Sequence, residues 1–150
     1  FVATVGLGEM VLGNVIKLIV HRERPSVLRL VEAGGWSFPS GHTSAAAAGW
    51  MAVALVLGRN RPVRVRALLS AGAVLIASAV ATSRALLGVH WFTDVVAGLM
   101  LGWGWYLLVA IAFGGRRQRL GTPFEHVARS IEAVPVPVVE PVVVEGRGPR

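Results

Sequence analysis

Lys17, His21 and Arg24 recur at i, i+4 and i+7, a spacing that puts two cations and an imidazole on one face of an α-helix. Pro25 follows at once, so the sequence predicts a first helix that runs to Pro25 with this face at its C-terminal end. Two readings fit the cluster. Its cations could converge on an anion, or the helix end could lift its charges to lipid headgroups, which Arg22 and Glu23 on other faces would also suit. Further on, Phe38-Pro39-Ser40-Gly41-His42-Thr43 opens an apolar run. Ser40 can serve as N-cap and Gly41 lets backbone N–H groups approach a ligand, so the free amides and helix dipole form an anion site beside His42. The same residues would equally make an ordinary capped start with an incidental histidine. The third cluster is Ser83-Arg84, then His90 and Asp94. At i, i+4 the Asp94 carboxylate can accept from one imidazole nitrogen, fix the tautomer and make the other nitrogen a better nucleophile. A satisfied structural pair has the same spacing.

Two histidines and a carboxylate could also form a facial metal triad. Lys17, Arg24 and Arg84 would repel a divalent cation from the same pocket, so the sequence predicts neither a metal nor another cofactor. Three fixed cations, a helix N-terminus and two histidines suit a phosphate oxyanion better.

The elements that must hold these clusters are apolar. Of the 150 residues 54% are hydrophobic and 15% charged, with mean hydropathy +0.63, which excludes disorder and an ordinary soluble domain. Four segments, Phe1–Val20, Ser40–Gly58, Val65–Ser83 and Phe92–Phe113, each have the roughly 20 residues that cross about 30 Å of hydrocarbon. Period-two alternation is missing from them, so the sequence predicts an all-α integral membrane bundle and excludes an outer-membrane barrel. Ala45 to Gly49 and Ala71 to Ala73 allow close helix approach, and Gly98 with Gly102 makes a small-xxx-small pair. There is no cysteine, hence no disulfide framework. The chain opens at Phe1 inside an apolar run, which reads as a fragment or processed product rather than a signal peptide.

The net charge of +7 is placed as membrane proteins place it. Arg59, Arg61, Arg64 and Arg66 share one short loop, and Arg116, Arg117 and Arg119 follow the last apolar run, so both regions should be cytoplasmic and no nucleic-acid partner is expected. The three polar clusters then gather on the outer face, where Lys17, Arg22, Arg24, Arg29 and Arg84 are positive charge on the wrong side and call for a functional reason. The domain plan is a transmembrane catalytic region 1–115, a juxtamembrane segment 116–133 and a disordered Val/Pro/Glu-rich tail 134–150. Within the middle segment Thr122-Pro123-Phe124-Glu125 has capping-box spacing for a short interfacial helix.

Lys17-x6-Arg24-Pro25, Pro39-Ser40-Gly41-His42 and Ser83-Arg84-x5-His90-x3-Asp94 together resemble the three-part signature of the type 2 phosphatidic acid phosphatase and vanadium haloperoxidase superfamily. The gaps of 13 and 40 residues between the parts are similar to that family's ranges. The resemblance implies that His90 is the nucleophile that forms a phosphohistidine, that Asp94 orients it, and that His42 protonates the leaving oxygen and then helps activate water. It implies that Lys17, Arg24, Arg84, the Ser40 hydroxyl and the Gly41 amide bind the phosphoryl oxygens without a metal. Membrane members usually have six helices, so the four here are expected to be the C-terminal part of such a core. The expected function is a lipid phosphate or pyrophosphate phosphatase of a bacterial plasma membrane. Its substrate would be phosphatidic acid, phosphatidylglycerol phosphate or a polyprenyl pyrophosphate. The alternatives are a phosphotransferase or haloperoxidase of the same superfamily, or a non-catalytic subunit that binds lipid headgroups; the oligomeric state is open.

Overall fold

In a computed structural model of the chain, which describes residues 1–26 and 30–115, the four apolar runs form α1 (Val2–Val20), α2 (Gly41–Leu57), α3 (Val63–Leu86) and α4 (Phe92–Gly115). The described residues contain no strand. The capping box at Thr122 and the Val/Pro/Glu-rich tail lie outside them. Three of the helices, α1, α3 and α4, are long and apolar enough to cross a membrane. The 17 residues of α2 rise about 25 Å, a little short of the hydrocarbon thickness. Large apolar side chains such as Leu18, Ile19, Leu68, Leu75 and Met100 are exposed around the bundle, where lipid rather than water is the fitting solvent.

The shortest helix is the central one. α2 packs against α1, α3 and α4, whereas α1 and α3 do not touch. Its sequence allows this, since Thr43, Ser44, Ala47, Ala48, Ala52 and Ala54 are buried and none is larger than threonine. The Gly98/Gly102 pair is the matching surface on α4. A Cβ at Gly98 would lie 2.8 Å from the Ser40 carbonyl oxygen, and one at Gly102 would collide with the Ser44 carbonyl. Only hydrogen at these two positions lets α4 reach the α2 backbone.

The first helix does not run to Pro25. It ends at Val20, where His21 adopts a left-handed conformation (φ 48°, ψ 38°) and its N–H bonds to the Lys17 carbonyl at 3.2 Å. The His21 ring then stands edge-on to Trp36 at 4.7 Å. The expected common face of Lys17, His21 and Arg24 therefore does not form, and Arg24 reaches its place from a loop. α3 runs past Ser83 to Leu86, which puts Arg84 in its last turn.

Backbone bonds between loops tie the polar ends of the four helices together. Ser37 N–H donates to Arg22 O (2.8 Å), Ser40 N–H to Asp94 O (3.0 Å) and Leu30 N–H to Leu87 O (3.2 Å). The C-terminal ends of α1 and α3 and the N-terminal ends of α2 and α4 are thus held at one end of the bundle.

Candidate active site

His90 and Asp94 bracket the turn from α3 into α4. Gly88 takes a positive φ (68°) just beyond the end of α3, which reverses the chain and carries His90 into the interior, where it is 5% exposed. Trp91 precedes the first residue of α4, and its N–H donates to Asp94 Oδ2 at 2.9 Å, so a first-turn carboxylate reaches back to cap its own helix. Asp94 is fully buried and has two further partners: Arg22 Nη1 donates to Oδ1 at 2.8 Å, and the Ser37 hydroxyl donates to Oδ2. Arg22 also donates to Thr93 Oγ1 at 2.6 Å and lies over the Trp91 ring.

The direct His90–Asp94 hydrogen bond expected from the i, i+4 spacing is not formed. His90 Nδ1 is 3.7 Å from Asp94 Oδ2, too long for a bond, because the Ser37 hydroxyl and the Trp91 N–H already occupy that oxygen. Ser37 Oγ is 3.5 Å from the same His90 nitrogen and so lies beside the pair, within reach of both.

Arg24 fixes the other side of the ring. Its guanidinium donates to the carbonyls of Gly34 (3.0 Å), Gly35 (3.0 Å) and Val89 (2.8 Å), while Nη1 lies 3.2 Å from His90 Nε2. A guanidinium has no acceptor, so Nε2 must present its lone pair and the proton is assigned to Nδ1, facing Ser37 and Asp94. Burial first, then the Arg24 charge, holds the imidazole down at about 4 against an ordinary 6.5. The ring is therefore neutral at pH 7 with its lone pair turned toward the cations.

The start of α2 completes the cluster. Lys17 Nζ lies 3.2 Å from where a Gly41 Cβ would be, so the ammonium sits close beside the first residue of α2. Ser40 occupies the N-cap position, yet its side chain makes no capping bond: Oγ accepts from Thr43 Oγ1 at 2.9 Å. His42 is exposed on the first turn, and the charges of Arg84, Lys17 and Arg24 all act on it. Among the described residues neither Lys17 nor Arg84 has a carboxylate within ion-pair distance, and no group of three His, Cys, Asp or Glu could hold a metal ion. The structure thus brings Lys17, Arg24, Ser40, Gly41, His42, Arg84, His90 and Asp94 to one end of the bundle. It adds Ser37 and Arg22. The charges of Arg22 and Glu23 suited headgroups in the sequence, and no spacing signal marks Ser37 apart from its place two residues before Pro39.

A helical membrane bundle with a neutral, oriented imidazole among cations at one end is of a class that can hold a phosphate-like anion there. The chain belongs to the PAP2 superfamily, whose family model matches residues 1–118. It is 36% identical over 103 residues to phosphatidylglycerophosphatase B of Bacillus subtilis, covering 67% of this chain and 51% of that protein. It is 38% identical over 106 residues to phosphatidylglycerophosphatase B of Escherichia coli, covering 67% of this chain and 38% of that protein. The crystal structure of a transmembrane PAP2-type phosphatidylglycerolphosphate phosphatase from Bacillus subtilis superposes with a TM-score of 0.73 at 33% identity, covering 79% of this chain and 59% of that one. The chain thus spans about half or less of the length of these curated relatives.

Proposed function

We propose that the chain carries the catalytic part of a metal-independent membrane phosphatase that hydrolyses a lipid phosphate through a phosphohistidine. The observation that carries this reading is the His90 ring: Nδ1 faces Ser37 and Asp94, and the ring's lone pair, on Nε2, is turned toward the cations and accepts from Arg24 at 3.2 Å. A phosphoryl group drawn in by Lys17, Arg24, Arg84 and the Ser40–Gly41 helix start brings its phosphorus to that lone pair as the Arg24 N–H passes from Nε2 to a phosphoryl oxygen. The cations neutralise the equatorial oxygens as charge spreads over them in the transition state. The Nε2–P bond forms as the P–O bond to the lipid breaks, and His42, on the first turn of α2, gives its proton to the leaving oxygen. Asp94 stabilises the positive charge that develops on His90. In the second half His42 takes a proton from water, whose oxygen attacks phosphorus and releases inorganic phosphate and free His90.

The names of the relatives favour phosphatidylglycerol phosphate as the first substrate to test, with phosphatidic acid and polyprenyl pyrophosphate beside it. We place the protein in a bacterial plasma membrane with the site on the extracytoplasmic face, because the four arginines from Arg59 to Arg66 lie at the opposite end of α2 and α3.

The test is acid-labile labelling of the full-length protein from a ³²P-lipid substrate. The wild type and His42→Ala should accept label, the variant releasing it slowly, and His90→Ala should accept none. Label undiminished in His90→Ala would overturn the nucleophile. Absence of hydrolysis across the lipid panel would favour a headgroup-binding subunit.

A further inference from the structure

Glu9 is a carboxylate near the middle of a membrane-spanning helix, 5% exposed, and no step above uses it. An ionisable group at that depth is costly unless it does something. Its Oε1 accepts from the hydroxyl of the fully buried Ser44 on α2. Gly13, one turn along α1, borders the carboxylate: a Cβ there would lie 3.5 Å from Oε1, in ordinary van der Waals contact. Lys17, one turn further, places its ammonium at Gly41, the first residue of α2. Glu9, Gly13 and Lys17 thus form one stripe on α1, and Gly41 and Ser44 face it from the first turn of α2.

The geometry points to Glu9 as a positioning residue for Lys17, latching α1 to α2 through Ser44 at the register that sets the ammonium beside the phosphate-binding helix start; this rests on the phosphatase reading. The two residues stand about 12 Å apart along α1 and meet α2 within its first turn, so together they fix both the height and the rotation of α1. A slip of one residue would move α1 by about 1.5 Å and turn Lys17 by about 100° away from Gly41. The latch is needed because Lys17 has a flexible four-carbon stem and a cavity of about 360 Å³, lined by Glu9, Asn14, Lys17 and Gly41, opens beside it. A carboxyl group suits the role because its oxygen accepts from a hydroxyl that lies away from water, where a satisfied hydrogen bond counts for more.

The test is a double-mutant cycle on the full-length protein in detergent, reading vanadate affinity by calorimetry alongside lipid-phosphate hydrolysis. Glu9→Ala should weaken vanadate binding about tenfold, the scale of one lost buried hydrogen bond, and should lower kcat more than it raises KM. Glu9→Gln keeps an acceptor for Ser44 and should stay within about threefold of the wild type. Glu9→Ala added to Lys17→Ala should weaken vanadate binding no further, since Glu9 acts through Lys17. If Glu9→Ala does not fold, Ser44→Ala removes the same bond with a smaller lesion and completes the cycle. Additive losses with Lys17→Ala, or Glu9→Gln as impaired as Glu9→Ala, would overturn the latch while leaving the phosphatase reading intact. A wild type that neither binds vanadate nor hydrolyses lipid phosphates would overturn both.

Discussion

Ser37 Oγ lies beside both His90 and Asp94, donating to Asp94 Oδ2 and standing 3.5 Å from His90 Nδ1, while the two partners that sequence spacing pairs directly are 3.7 Å apart. The carboxylate therefore acts on the imidazole through a hydroxyl as well as through its charge. Ser37→Ala removes that link and should lower kcat about 10–100-fold, the range for losing a buried hydrogen bond to a charged group. Ser37→Thr, which restores a hydroxyl, should recover part of it. Steady-state hydrolysis by the two variants checks this, and an Ala variant as active as the wild type would remove Ser37 from the mechanism.

His90 should stay neutral far below the usual histidine range. The unfolded chain binds a proton near 6.5 that the folded site refuses until about 4, so this group's contribution to stability is fully present above about 6.5 and declines as pH falls through that window. Any activity loss between pH 7 and 5 must then come from another group. Arg24→Gln removes the second-largest cause of the depression and should move the His90 titration upward, measured by NMR of ¹⁵N-histidine protein. A titration unmoved by the substitution would leave burial and the Lys17 charge as the causes.

The two unneutralised cations should matter in the transition state. Arg84→Ala or Lys17→Ala should lower turnover about 10²–10³-fold, as for other preorganised donors to a developing charge. Arg64, which the structure puts in the first turn of α3 rather than in the loop before it, lies at the other end of the bundle and is the control. Turnover within a few-fold of the wild type for Arg84→Ala and Lys17→Ala would assign both side chains to headgroup contacts.

The α2–α4 seam couples packing to the site. Gly98→Ala puts a methyl 2.8 Å from the Ser40 carbonyl oxygen, so the helices must part where α2 begins; the cost should be about 1–3 kcal/mol, with a lower Tm and reduced activity. Gly104→Ala on the same helix has nothing within 4 Å and should leave Tm unchanged or slightly raised. Thermal melts of the two variants decide, and equal effects would mean the seam yields.

Topology is open to a direct check. A cysteine at Asn60, in the loop joining α2 to α3, should react with a membrane-impermeant thiol reagent only after cells are opened. Labelling in intact cells would invert the orientation.

The apolar runs made the four helices legible, because in lipid a backbone must satisfy its own hydrogen bonds and about 20 apolar residues leave no other form. The site residues were legible for a similar reason: Lys17, Arg24, Arg84, His42, His90 and Asp94 are polar groups that lipid excludes, so their types and spacing were conspicuous. The Gly98/Gly102 pair carried the seam in its spacing alone. Tertiary structure decided the rest. The left-handed turn at His21 ended α1 before Pro25 and sent Arg24 into the site from a loop, an outcome that depends on Trp36 and the Gly34–Gly35 carbonyls, 10–15 residues away in sequence. Ser37, Arg22 and Trp91 took the carboxylate oxygens that spacing had assigned to His90. Local spacing says which groups can meet within a helix, but a buried carboxylate bonds the nearest donors, and those come from loops whose positions only the packed bundle sets.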